Sequence, residues 1–386
     1  MKTSTILLAS GLAIAGVVSA VTLGNGSAVV AGGGSGETSR HAGPDSARVE
    51  AFFAALHAAD PMICDMVTDQ LGNFWNSEGY ERVGALADAT RSWEPARDSL
   101  ASPVNDASAR RRVARALGDG NPCVRRAAAK MLGRSGALAV STIRDALRSG
   151  TAIVREAALL SVGHAELPEL YDEAMRATGD ADAAVAAMAT WAVGEYERPE
   201  SVERLAELTR SREVRVRRAA AHGLGQIEDR RGVAPLLPLL RDSDVSTRII
   251  AAHALGDIES PEAAGPLAAA LRDPNVRVRI AAASAIGQLD ELESAPDALL
   301  DALRDDSVEL RRVAAEALGE IADVRAVTAL GGALGETDLE TRRAVVQALA
   351  QIEHESTVPF LLRAIKDSDP EIRKMAAEAL GERKEK

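Results

Sequence analysis

The stretch VRVRRAAAHGLGQIEDRRGVAPLLPLLRDSD, Val214 to Asp244, runs directly into VSTRIIAAHALGDIESPEAAGPLAAALRDPN, Val245 to Asn275. Both are 31 residues long, and both place an Arg, a His, a Leu-Gly pair and an Arg-Asp pair at the same offsets. Tandem repetition restricts the fold severely. A unit of this size cannot bury its apolar face alone and must stack on its neighbours. With the Leu-Gly glycine as a marker, the phase runs through Gly133, Gly163, Gly194, Gly225, Gly256, Gly287, Gly319, Ala350 and Gly381, at spacings of 30 to 32 residues. Eight residues before the marker stand Arg125, Arg155, Arg217, Arg248, Arg279, Arg311, Arg342 and Arg373, with Ala186 breaking the series. Fourteen residues before it stand Asp242, Asp273, Asp305 and Asp367, among others.

Each period reads as two helices. Ile372, Met375, Ala376, Ala379 and Leu380 lie on one 3.6-residue stripe ahead of their marker. A shorter stripe follows each marker, as in VAPLLPLLRD, with Pro in the first turn, where a missing N–H costs little. Asp-x-Asp or Asp-x-Asn between the helices (Asp242/Asp244, Asp273/Asn275, Asp367/Asp369) offers side-chain oxygens that cap a helix start. Aromatics make up only 3% of the chain, so the core is built of small aliphatic side chains, which suit close-packed helices better than strands. Ala350 at a marker position argues against a positive φ there. Close helix approach is the expected reason for the glycines.

The pattern Val/Ile-Arg-x-x-Ala-Ala-x-Ala-Leu-Gly-x-Ile, as in Ile372 to Gly381 or Leu310 to Ile321, resembles the short HEAT-like repeat of phycobilisome lyases. The resemblance covers about residues 117–386 and implies an all-α, right-handed solenoid with the Arg-bearing helices on its concave side. Extending the phase upstream gives about eleven two-helix repeats of about 31 residues. Residues 46–103 read as divergent capping repeats and 104–386 as the regular array. Phe52, Phe53, Phe74, Trp75, Tyr80 and Trp93 gather in the first of these segments, as expected of repeats that cover an open apolar end.

Residues 1–20 read as an export signal, with Lys2, an apolar run and Val18-Ser19-Ala20 at a cleavage position. The apolar stretch is also about 20 residues long, enough to span a bilayer, so a retained membrane tether is the alternative. Residues 21–45 are Gly/Ser-rich and read as a linker. The expected location is outside the cytoplasm, periplasmic or extracellular. A net charge of −12 argues against nucleic acid as a partner. A basic cluster, Arg110 to Arg112, Arg115, Arg125, Arg126, Lys130 and Arg134, reads as solvated repeat faces. The register places Cys64 and Cys123 two periods apart, too far for a disulfide.

The recurring Arg and Asp read as a structural ladder linking neighbouring repeats. Positions three and seven residues before the marker fall opposite the apolar stripe and should face the groove. There Leu160, Trp191, His222, His253, Ile249 and Ile280 form an expected apolar patch, with Arg218 at its edge. His222 and His253 alone are too few for a metal site, and neither metal nor cofactor is expected. Deoxyhypusine hydroxylase, built of similar repeats, holds iron through His-Glu pairs just after the repeat Arg. Here those positions read Arg218-Ala219, Ile249-Ile250 and Ile280-Ala281, and the one His-Glu pair, His354-Glu355, lies between helices. The expected function is an exported scaffold that holds a protein or peptide partner in its groove and is not an enzyme. A non-catalytic or regulatory relative of the HEAT-repeat enzymes, or a sensor segment of a membrane peptidase system, is the alternative.

Overall fold

A computed structural model of the chain describes residues 43–57, 103–290, 292 and 294–382. The export signal, most of the linker, and Phe74, Trp75, Tyr80 and Trp93 lie outside these residues. All regular structure among the described residues is helical. Helix α1 (Ser46–His57) precedes the pair α2 (Ala107–Ala116) and α3 (Pro122–Arg134). Eight short–long pairs follow: α4 (Val140–Leu147) and α5 (Ala152–Ala165), α6 (Tyr171–Ala177) and α7 (Ala183–Glu195), α8 (Val202–Leu208) and α9 (Val214–Ile227), α10 (Val233–Leu236) and α11 (Val245–Asp257). The series continues with α12 (Ala264–Ala270) and α13 (Val276–Gln288), α14 (Asp297–Ala302) and α15 (Val308–Ile321), α16 (Val327–Ala333) and α17 (Leu339–Gln351), α18 (Val358–Ala364) and α19 (Pro370–Glu382).

The inter-helix residues set where each long helix begins. The second residue of the Asp-x-Asp/Asn pair is the N-cap: Asp182 accepts from the N–H groups of Ala184 and Val185, Asp244 from Thr247, and Asn275 from Arg277. Ser307 and Asp338 cap α15 and α17 in the same way. Each such bond satisfies a backbone donor that the first turn leaves open, worth about 1 kcal/mol. At the opposite end, Glu166, Glu228 and Ala322 are left-handed C-caps with φ of 45°, 53° and 56°.

Consecutive long helices pack directly on one another along a line of small residues. A Cβ at Gly194 would stand 2.6 Å from the Cα of Gly223, and one at Gly319 would stand 2.7 Å from the Cα of Ala348. Gly225, Gly256 and Gly287 meet Ala254, Ala285 and Ala317 likewise at 2.9 to 3.0 Å. None of these glycines has a positive φ. They are there for close approach, and a larger side chain would have to push two helices apart.

At the N-terminal end, α1 buries Val49, Phe52, Phe53 and Leu56 and packs on α2 and α3. Its last turn reaches the loop before Cys123: His57 Nε2 lies 3.1 Å from Asp119, and Asn121 donates to the Leu56 carbonyl. Cys123 is disulfide-bonded, which corrects the sequence expectation. The chain has two cysteines, and the other, Cys64, lies outside the described residues. The expectation failed because it carried the regular phase upstream. In fact α1, seven residues before Cys64, docks on the helix that holds Cys123 and not two periods away.

The basic cluster is largely engaged in structural bonds. Arg110 donates to the carbonyls of Val104 and Asn105, Arg112 pairs with Glu50 at 2.9 Å, and Lys130 is buried.

Candidate interaction surface

Six arginines of the series, Arg155, Arg217, Arg248, Arg279, Arg311 and Arg342, each form a rung to the following repeat. Arg155, Arg217, Arg248 and Arg342 each grip the aspartate of the following repeat with two bonds, to Asp180, Asp242, Asp273 and Asp367. Arg279 reaches Asp305 at 3.0 Å, and Arg311 reaches Glu336 at 3.1 Å. The far nitrogen of each guanidinium donates to the carbonyl six residues back, as Arg248 does to Asp242. Arg125 and Arg373 make that local bond too, to Asp119 and Asp367. The aspartate works in two directions, because Asp273 also accepts the N–H of Asn275. Each rung therefore ties a helix, its own loop and the next repeat's loop by charge-assisted bonds. These arginines are committed to the fold.

Against the opposing effect of burial, the arginine bonds hold Asp180, Asp242 and Asp367 below the ordinary aspartate range, and the Ser307 N–H followed by Arg279 does the same for Asp305. Arg218 is engaged as well. It grips Asp244 at 2.8 and 2.6 Å while Asp244 caps α11, and the guanidinium drives that carboxyl far below its usual value. An intramolecular ion pair thus occupies the residue expected at the edge of the partner patch.

The patch itself divides in two. Leu160 and Trp191 are buried, at 6% and 7% exposure, and so do not offer the exposed apolar surface expected of them. The reason lies one repeat earlier. Gly163 has no side chain, and the six-membered ring of Trp191 fills the space where its Cβ would be. The His164 ring meets the indole edge-on, with ring centroids 5.9 Å apart. Burial, with Lys130 and Arg134 adding to it, pushes His164 down to about 4, so this imidazole is neutral at physiological pH.

The remaining four residues stay at the surface. Ile249 and Ile280 are half-buried on α11 and α13, His222 is half-buried on α9, and His253 is exposed on α11. His222 Nε2 lies 3.2 Å from Glu195 on α7. Burial lowers His253 and raises Asp257, one turn further along the same helix. Among the described residues, no three His, Cys, Asp or Glu side chains gather as a metal-holding group.

Sequence reasoning missed the carboxylates beside this wall. Glu166, Glu197, Glu228 and Glu259 occupy the left-handed position three residues past successive markers. Burial, followed by repulsion from Glu195 and Glu197, raises Glu166. The recurrence of Glu at one offset was visible in the sequence. Its backbone conformation was not, since glycine is the usual occupant of that region.

A stack of helix pairs pinned at most steps by an arginine–carboxylate rung is a helical-repeat solenoid. The family of HEAT repeats matches residues 167–248, 233–319, 264–343 and 327–386, and the chain belongs to that family. Its fold is similar to the crystal structure of YibA from Escherichia coli, with a TM-score of 0.52 at 20% identity over 74% of this chain and 100% of that one. An engineered protein aligns over 87% of this chain and 99% of its own, at 21% identity and a TM-score of 0.49. The complex of CpcE and CpcF of phycocyanin lyase from Nostoc aligns over 57% of this chain and 92% of its own, at 22% identity and a TM-score of 0.39. No curated protein sequence matches the chain.

Proposed function

We propose that this chain is an exported, non-catalytic scaffold that holds a protein or peptide partner on the wall formed by α9, α11 and α13. The observation that carries the reading is the contrast along that wall. Ile249, Ile280, His222 and His253 remain at the surface, while the arginines around them are spent on internal bonds. Neither isoleucine is required by the scaffold, because the same position holds Arg218, Arg312, Arg343 and Lys374 in other repeats. An apolar segment flanked by charge is the usual make-up of a partner site. The long helices are the more tightly packed of the two layers, which in a two-layer stack favours the inner side of the bend.

The test is photo-crosslinking in the native host from position 253, with Ala269 on α12 as the control position. A single dominant adduct from 253 alone, lost in Ile249→Asp and Ile280→Asp, supports the reading. The same adducts from both positions, or none from 253, would overturn it.

A further inference from the structure

Arg218, Arg312 and Arg343 all stand seven residues before their markers, and the structure uses them differently. Arg218 is held by Asp244, 26 residues on, at 2.8 and 2.6 Å. The equivalent carboxylate for Arg312 is Asp338, which accepts from the N–H and hydroxyl of Thr341, while Arg312 donates to Glu316 on its own helix at 2.8 Å. Arg343 donates to Glu340 at 2.8 Å, also on its own helix, and reaches Asp369 only at 3.4 and 3.5 Å. Its Nε is buried and meets no acceptor among the described residues. Ion pairs along one exposed helix face contribute little, so both guanidiniums are available to a stronger acceptor.

Arg312, Glu316, Glu340 and Arg343 line one pocket of about 320 Å³ formed by α15, α17 and α19. Gln347 adds an amide to its lining, and Ala344 and Met375 supply its apolar part. The volume lies at the small end of ligand sites, which run from about 300 to 1,000 Å³, so the space suits a small molecule and not a folded segment. The charges choose its class. Arg312 and Arg343 offset Glu316 and Glu340, so a plain anion would face two carboxylates and a plain cation two guanidiniums. A molecule that carries both charges satisfies both pairs. We propose that this pocket binds a small zwitterion, an α-amino acid or dipeptide with an aliphatic side chain. Its carboxylate accepts from Arg312 and from Arg343, whose Nε lacks an acceptor. Its ammonium group donates to Glu316 and Glu340, and its side chain lies on Ala344 and Met375. Bonds between charged partners are the strong ones among hydrogen bonds, which gives the ligand its hold and its orientation. The pocket shares no residue with the α9–α13 wall, so the two sites stand or fall separately.

The test is calorimetric titration of the full chain with L-leucine and with L-leucyl-L-leucine. Saturable binding is expected for at least one of them, and the two titrations tell a free amino acid from a dipeptide. Blocking either charge of the probe that binds, by N-acetylation or by C-terminal amidation, should weaken it at least about tenfold, as loss of a charged contact does. Glu316→Gln and Arg343→Gln should each weaken it by a similar factor, while Ile249→Asp on the wall should leave it unchanged. No saturable binding of either probe would overturn the proposal. So would binding that survives both blocking groups, or binding indifferent to Glu316→Gln and Arg343→Gln. Equally tight binding of inorganic phosphate would overturn it too, because the pocket would then be a plain anion site.

Discussion

The rungs and glycine contacts of the array differ in kind from the wall of α9, α11 and α13, although both come from the same helices. Along the rungs the residue type is nearly constant from repeat to repeat, and Arg155, Arg217, Arg248 and Arg342 each bond both their own loop and the next repeat's aspartate. Along the wall the type varies, from Trp191 through His222 and His253 to Ser284, Glu316 and Gln347. Recurrence at an offset therefore marks what the stack requires, and variation marks what it leaves open. Trp191 is the exception, since it varies in type yet is buried.

Trp191→Ala is the strongest way to break that comparison. It would empty the slot over Gly163 and should cost about 3–5 kcal/mol, read as a lowered urea midpoint by circular dichroism. A change under about 1 kcal/mol would return Trp191 to the surface class. His164 gives a pH-dependent effect of nearly similar size. Its folded pKa of about 4 lies below the unfolded value of 6.5, so the unfolded chain takes up a proton first as pH falls. The stabilisation is complete above pH 6.5 and is lost as pH drops towards 4, by about 3 kcal/mol in all. The stability difference between wild type and His164→Gln should follow that curve, and a flat difference would contradict the burial.

Arg248→Ala should cost about 2 kcal/mol, since it strands the Asp273 carboxylate and the Asp242 carbonyl in a half-buried seam. Stability equal to wild type would show the rungs to be ornamental. Glu228→Gly is expected to stabilise the array by up to about 1 kcal/mol, because it relieves a left-handed backbone. His253→Ala should shift the unfolding midpoint by less than about 0.5 kcal/mol. A larger loss would place His253 with the rungs.

Much of the fold was legible because stacking repeats one physical problem, and the sequence repeats its answer. Arg248, Asp273 and the caps Asp244 and Asn275 announce themselves by offset alone, and Ala350 showed that the marker position needs smallness and not a special φ. The candidate surface was half legible. Ile249, Ile280, His222 and His253 lie at the surface as the helical phase required, but Leu160, Trp191 and Arg218 do not play the parts their offsets suggested.

By itself the sequence determined the two-helix period, the helix starts, and which arginines and aspartates recur in step, because these depend on local spacing and on contacts between adjacent repeats. Only the tertiary structure decided that Trp191 turns into the gap over Gly163, that Asp244 holds Arg218, and that α1 docks beside Cys123. Each of those depends on which neighbour lies across a helix interface, and a one-dimensional phase does not encode the size of the space that a neighbour leaves.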